Sequence, residues 1–151
     1  MERSAKASRK GFYFDLQRFM KSAAKFETPT TPAVSILFAA QAQAARIREE
    51  GMVARLKRHA DMARTTWDWA ESRGLGIIAS EGSRSPTVSC ITLPPGRTGP
   101  EVNAAMVERD WTITTGYGQL KESTVRIGHM GEHTVEQVEA VLADLGEVLG
   151  V

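Results

Sequence analysis

The sequence predicts an α+β fold, a small antiparallel sheet with helices on one face, preceded by a long two-part helix. Three observations carry this. Apolar residues recur at spacings of three and four from Met52 to Ala70 and again from Val135 to Leu149. Between these stretches the period changes to short, branched apolar runs bounded by turn residues. The order is helix, two strands, helix, two strands, helix, which describes one layer of helices on a largely antiparallel sheet.

Each element has its own signal. Seven basic residues (Arg3, Lys6, Arg9, Lys10, Arg18, Lys21 and Lys25) face only Glu2 and Asp15 in the first twenty-five residues, where Phe12, Leu16, Phe19 and Met20 stand at helical spacing. Lys25-Phe-Glu-Thr-Pro-Thr-Thr-Pro32 reads as an irregular extended linker, because Pro29 and Pro32 push their predecessors out of helical geometry. Thr31 is expected as an N-cap with Pro32 at the first helical position, opening an alanine-rich helix that runs to Glu50. Gly51 interrupts it, and a second amphipathic helix runs from Met52 to the stop at Gly74.

Strands are expected at Leu75–Ala79 and Thr87–Leu93, separated by the turn-rich Glu81–Pro86. Pro94-Pro-Gly96 closes the second, and a short helix follows from Pro100 to Arg109. Trp111–Thr115 and Thr124–Gly128 complete the strands, joined by a loop containing Gly116-Tyr-Gly118. Thr134 and Gln137 form a capping box for the last helix, whose apolar stripe is Val135, Val138, Val141, Leu142, Leu145 and Leu149. These elements divide the chain into residues 1–31, a helix over 32–51 and a domain over 52–151.

Composition narrows the function classes. At 151 residues, with 42% apolar and 25% charged residues, the chain is that of an ordinary globular protein able to bury a core. No apolar run approaches the ~20 residues of a membrane span, and no apolar core follows the basic N-terminus as in a signal peptide, so a cytoplasmic protein is expected. The basic N-terminal segment admits a nucleic-acid or anionic-lipid role. The favoured alternative is the solvated side of a helix whose apolar side meets protein, so neither nucleic acid nor membrane is expected as a partner. Cys90 has no disulfide partner and suits a strand better than a nucleophile.

Arg126 is the residue with the most chemistry, since it closes a short strand before Gly128 and a guanidinium there is a planar fork for a carboxylate. A salt-bridged surface arginine gives the same local pattern. Thr28, Thr30 and Thr31 sit before a helix N-terminus, where hydroxyls, free N–H groups and the helix dipole suit an anion or serve simply as caps. His129 and His133 are four apart with Glu132 between, but Gly131 breaks the helical geometry that a metal site would need. His133 is expected at the entry of the last helix and His129 as a loop side chain near Arg126. Tyr117 is either a wall of the same cleft or an exposed turn residue. The three tryptophans are expected to pack.

Taken together, Thr114-Thr-Gly-Tyr-Gly-Gln-Leu-Lys121, Ser123-Thr-Val-Arg-Ile-Gly-His-Met-Gly131 and His133-Thr-Val-Glu-Gln-Val-Glu139 resemble the C-terminal domain of the class V pyridoxal-phosphate aminotransferases, nearest to the alanine–glyoxylate and serine–glyoxylate group. The likeness runs from Gly11-Phe-Tyr-Phe-Asp-Leu16 through Thr28-Pro-Thr-Thr-Pro-Ala-Val-Ser35 to the last helix. It implies the fold-type I transferase architecture, with residues 1–31 trailing from a large cofactor domain that lies upstream. It further implies pyridoxal 5'-phosphate in the intact enzyme and a homodimer, with a small amino acid and a 2-oxo acid as substrates. Arg126 matches the substrate-carboxylate arginine. Thr28, Thr30 or Thr31 would reach the cofactor phosphate of the other subunit, although Glu27 places a carboxylate where relatives carry tyrosine or an amide. No segment matches the surroundings of the family's cofactor-bearing lysine, so the chain alone is expected to be an inactive part of a transaminase. The alternative is a free-standing α+β carboxylate-binding or protein-interaction module.

Overall fold

The structure is a computed structural model and describes residues 2–151. The chain forms two compact units, one ending at Arg46 and the other spanning Ile47–Val151.

The N-terminal unit holds α1 (Glu2–Lys6), α2 (Leu16–Ala23) and most of α3 (Val34–Glu50). Asp15 caps α2, its Oδ1 accepting the Gln17 N–H at 3.0 Å. Beyond α2 the chain turns sharply through Phe26, which holds a left-handed φ of 58° and is fully exposed. None of α1, α2 or α3 buries a residue, and Phe12, Phe14, Ile36 and Phe38 are 66–82% exposed. The helix-start expectation is corrected here. Val34 N–H donates to the Pro32 carbonyl at 2.9 Å, and the first helical acceptor is the Ala33 carbonyl, taken by Leu37 N–H at 3.1 Å. A tight turn at Pro32 thus delays α3, and Thr31 lies outside it rather than capping it.

The C-terminal unit contains α4 (Met52–Ser72), β1 (Val88–Thr92), α5 (Gly99–Val107), β2 (Thr114–Thr115), β3 (Thr124–Gly128) and α6 (Val135–Leu149). The sheet order is β1-β3-β2, antiparallel throughout, with Cys90 opposite Arg126 and Arg126 opposite Thr114. Alternation along β3 sends Val125 and Ile127 into the core. There they meet Ile91, Met62 from α4, Met106 from α5 and Leu142 from α6, each nearly inaccessible to solvent. Both later helices open on capping boxes, Thr98 with Glu101 and Thr134 with Gln137.

Two expected strands are cut back. Leu75–Ala79 contributes only a bridge between Ile77 and Ile91, because the Thr92 hydroxyl competes for the backbone, accepting from Gly76 N–H at 2.7 Å. Of Trp111–Thr115 only the last two residues pair. Asp110 takes a left-handed φ of 64° and the Trp111 N–H returns to the Met106 carbonyl at 3.0 Å, so this segment is still closing α5. No helix is long and apolar enough to cross a membrane among the described residues.

Candidate carboxylate site

Arg126 occupies the central strand, and the register that buries Val125 and Ile127 turns its side chain to the opposite face of the sheet, where it is half-buried. Its Nε donates to the Thr115 carbonyl at 2.8 Å. The guanidinium carbon lies 4.0 Å from the centroid of the Tyr117 ring. Ion pairs among the described residues go to Lys6, Arg55, Lys57, Arg58, Arg84 and Arg109, and none to Arg126. One N–H is thus committed to the backbone while the terminal nitrogens keep donors to offer a planar oxyanion.

The loop carrying Tyr117 is built for close approach. A Cβ on Gly116 would come within 2.2 Å of Thr124 Oγ1 and 2.7 Å of the Leu120 carbonyl, and Gly118 holds φ at +55°. Thr124 Oγ1 donates to the Leu120 carbonyl at 2.7 Å, and Leu120 N–H to the Tyr117 carbonyl at 3.1 Å. Two hollows border Arg126. One runs past Trp111, Ile113 and Gly128 to His133 and Gln137 at the start of α6. The other is walled by Ile78, Val88, Cys90, Trp67 and Arg84.

The other candidates fare differently. His133 stands at the entry of α6, where its carbonyl accepts from Arg58 Nη1. His129 lies in the loop just after β3, as expected, but it does not open onto a cleft. It is wholly buried, and neither ring nitrogen makes a well-formed hydrogen bond; burial pushes its imidazole down to about 4, opposed by a poorly aligned approach to the Pro86 backbone and aided by His59. Strand alternation explains the miss, since position 129 continues the inward-facing series of Val125 and Ile127. Among the described residues no group of three metal-binding side chains occurs. Thr28, Thr30 and Thr31 are exposed in the coil between α2 and α3, and they belong to a different unit from Arg126. Trp69 and Trp111 pack against the core as expected, and the indole N–H groups of Trp67 and Trp111 donate to Ser89 Oγ and Asp144 Oδ2 respectively.

No protein-family model matches the chain. Among curated relatives, the small subunit of a soluble hydrogenase from Synechococcus is 32% identical over 89% of this chain and 37% of its own length. An uncharacterized aminotransferase of Methanocaldococcus jannaschii is 33% identical over 88% of this chain and 35% of its own. Three further relatives at 29–30% identity are aminotransferases or transaminases named for glyoxylate. The alanine–glyoxylate aminotransferase of Nostoc superposes with a TM-score of 0.86 at 23% identity, covering 96% of this chain and 40% of that one. The fold is therefore that of part of a fold-type I pyridoxal-phosphate aminotransferase. The chain's aminotransferase relatives and structural neighbours are of class V, and the chain spans 29–37% of the length of the curated relatives above.

The family implies pyridoxal phosphate in the intact enzyme. Among the described residues no lysine is buried. Five of the six lysines are exposed, and the sixth, Lys10, is turned by its Nζ to the Ala5 carbonyl at 3.1 Å.

Proposed function

We propose that this chain supplies the substrate-carboxylate grip of a class V transaminase and does not itself carry out amino-group transfer. In the intact enzyme the reaction moves an amino group between a small amino acid, serine or alanine, and glyoxylate or a similar 2-oxo acid. The reading is supported chiefly by a half-buried guanidinium that has its Nε on a carbonyl and no acidic partner among the described residues. Arg126 accepts the substrate carboxylate across its terminal N–H groups and so fixes the orientation of the α-carbon, a positioning role. The cofactor supplies the electron sink for the bonds at that carbon when bound. Its phosphate is assigned to Thr28, Thr30 or Thr31 acting across a homodimer; because a carboxylate beside a phosphate is repulsive, either Glu27 points away or the contact is impaired. The enzyme is assigned to the cytoplasm, with neither nucleic acid nor a membrane as a partner.

The test is an NMR titration of the isotope-labelled chain with glyoxylate and with L-serine. Signals of Arg126 and its neighbours Thr115 and Tyr117 shift on binding, and both Arg126→Ala and Arg126→Lys abolish the shifts, since a lysine point charge cannot replace the fork. Equal shifts in the Arg126→Ala variant would remove Arg126 from the site. A second measurement addresses catalysis: a stable absorbance band of protein-bound pyridoxal phosphate, lost on changing one particular lysine, would show that the chain is competent alone.

A further inference from the structure

We infer that Tyr117 is a positioning residue for Arg126, covering one face of the guanidinium so that a carboxylate approaches only in the plane of the fork. This rests on the reading of Arg126 as the carboxylate grip, and it adds a residue to that site. Tyr117 is 78% exposed, a poor place for an aromatic ring that serves only packing. Yet the loop that carries it is rigid on both sides. Gly116 fits only without a side chain, and Leu120 N–H and Lys121 N–H return to the Tyr117 and Gly118 carbonyls at 3.1 Å each. A short span fixed this way delivers its ring to 4.0 Å from the Arg126 guanidinium carbon, within cation–π range.

Arg126 is therefore held twice, by a hydrogen bond in its plane through Nε and by an aromatic ring against its face. The first restraint fixes the direction of the side chain, and the second fixes the tilt of the plane. A guanidinium free to rotate loses part of its bidentate preference, because both N–H···O bonds must align at once. The stack thus converts a flexible cation into a pre-set fork, which lowers the ordering cost of binding. The phenol hydroxyl has no part in this, so the ring alone is required.

The experiment uses the full isotope-labelled chain, with glyoxylate as the probe, in the wild type and in Tyr117→Phe and Tyr117→Ala variants. Two quantities are read: the glyoxylate dissociation constant from Arg126 side-chain shifts, and the rate of rotation about the Arg126 Nε–Cζ bond from its terminal nitrogen signals. Tyr117→Phe is expected to match the wild type in both. Tyr117→Ala is expected to weaken glyoxylate by about two- to fivefold, the scale of an exposed cation–π contact, and to speed the rotation, while backbone signals of the core stay in place. Unchanged affinity and unchanged rotation in Tyr117→Ala would overturn the inference, as would a Tyr117→Phe variant that behaves like Tyr117→Ala. If glyoxylate leaves Arg126 unperturbed in the wild type, the carboxylate reading falls, and the positioning of the fork is then decided by rotation alone.

Discussion

Arg58 grips Glu50 at two points, Nε to Oε1 at 2.7 Å and Nη2 to Oε2 at 3.0 Å, closing the end of α3 onto the start of α4. Arg55 adds a bond from Nη1 to Glu50 Oε2 at 2.8 Å and then reaches the Gly131 carbonyl through Nη2 at 2.9 Å. The cluster therefore clamps the turn before α6, which borders the hollow beside Arg126.

Glu50 gives this clamp a pH signature. The Arg58 hydrogen bond, followed by that of Arg55, holds its carboxyl down at about 2, against an ordinary value of 4.5. A carboxylate whose folded pKa is depressed adds stability above its unfolded pKa and loses it as pH falls towards the folded one. Glu50→Gln is expected to lower the thermal midpoint at neutral pH, with the gap to the wild type closing between pH 4.5 and 2. Midpoints recorded across that range check it, and two parallel curves would show that Glu50 does not titrate with the fold.

His129 makes the opposite kind of statement, an uncompensated polar ring inside the core. Its folded pKa of about 4 lies below the ordinary 6.5, so the unfolded chain takes up the proton first and stability falls as pH drops through that interval. The loss amounts to on the order of 3 to 4 kcal/mol when complete, at about 1.4 kcal/mol per pKa unit. His129→Leu removes two buried nitrogens that lack partners, so at neutral pH it is expected to leave stability within about 1 kcal/mol of the wild type or to raise it. Below pH 6 the variant should be clearly the more stable in urea. A wild type that tracks the variant down to pH 4 would mean that the ring finds a partner when it charges.

The parts of the fold that were legible in the sequence are those with a local cause. The Thr134 and Gln137 box, the stop at Gly74 and strand Thr124–Gly128 each depend on nearby residues, and each is found where the sequence places it. The Leu75–Ala79 strand failed because its pairing is contested by the hydroxyl of Thr92, sixteen residues away from Gly76. Thr31 failed as a cap because the turn at Pro32 carries the chain past it. The Thr98 and Glu101 box has the same local cause as the one before α6. At the site, Arg126 was visible as a fork, whereas the Tyr117 stack depends on a loop closure that spacing alone does not reveal.

Gly116 tests that closure. Alanine there would set its Cβ 2.2 Å from Thr124 Oγ1 and 2.7 Å from the Leu120 carbonyl, and the second obstacle is backbone. The loop must therefore shift. Gly116→Ala is expected to cost about 2 kcal/mol or more of stability, the scale of overpacking a fixed site, and to move the aromatic signals of Tyr117. Chemical denaturation together with the Tyr117 ring shifts checks both. A variant of wild-type stability with an unmoved ring would show that the loop is softer than its contacts suggest.

The N-terminal unit carries the remaining prediction. Phe12, Phe14, Ile36, Leu37 and Phe38 are 59–82% exposed, large apolar side chains that favour association when they lie together on a surface. The same unit holds seven basic residues against two acidic ones up to Lys25, so self-association could follow either the apolar groups or the charges. The two differ in their response to salt, since added salt screens exposed charges and leaves apolar contact intact or stronger. Sedimentation of the purified chain is expected to show concentration-dependent association that persists at high salt and is reversed by Phe14→Ser combined with Phe38→Ser. Association that dissolves in salt would assign it to the basic residues, and a chain monomeric at every concentration would show that these apolar groups are shielded in solution.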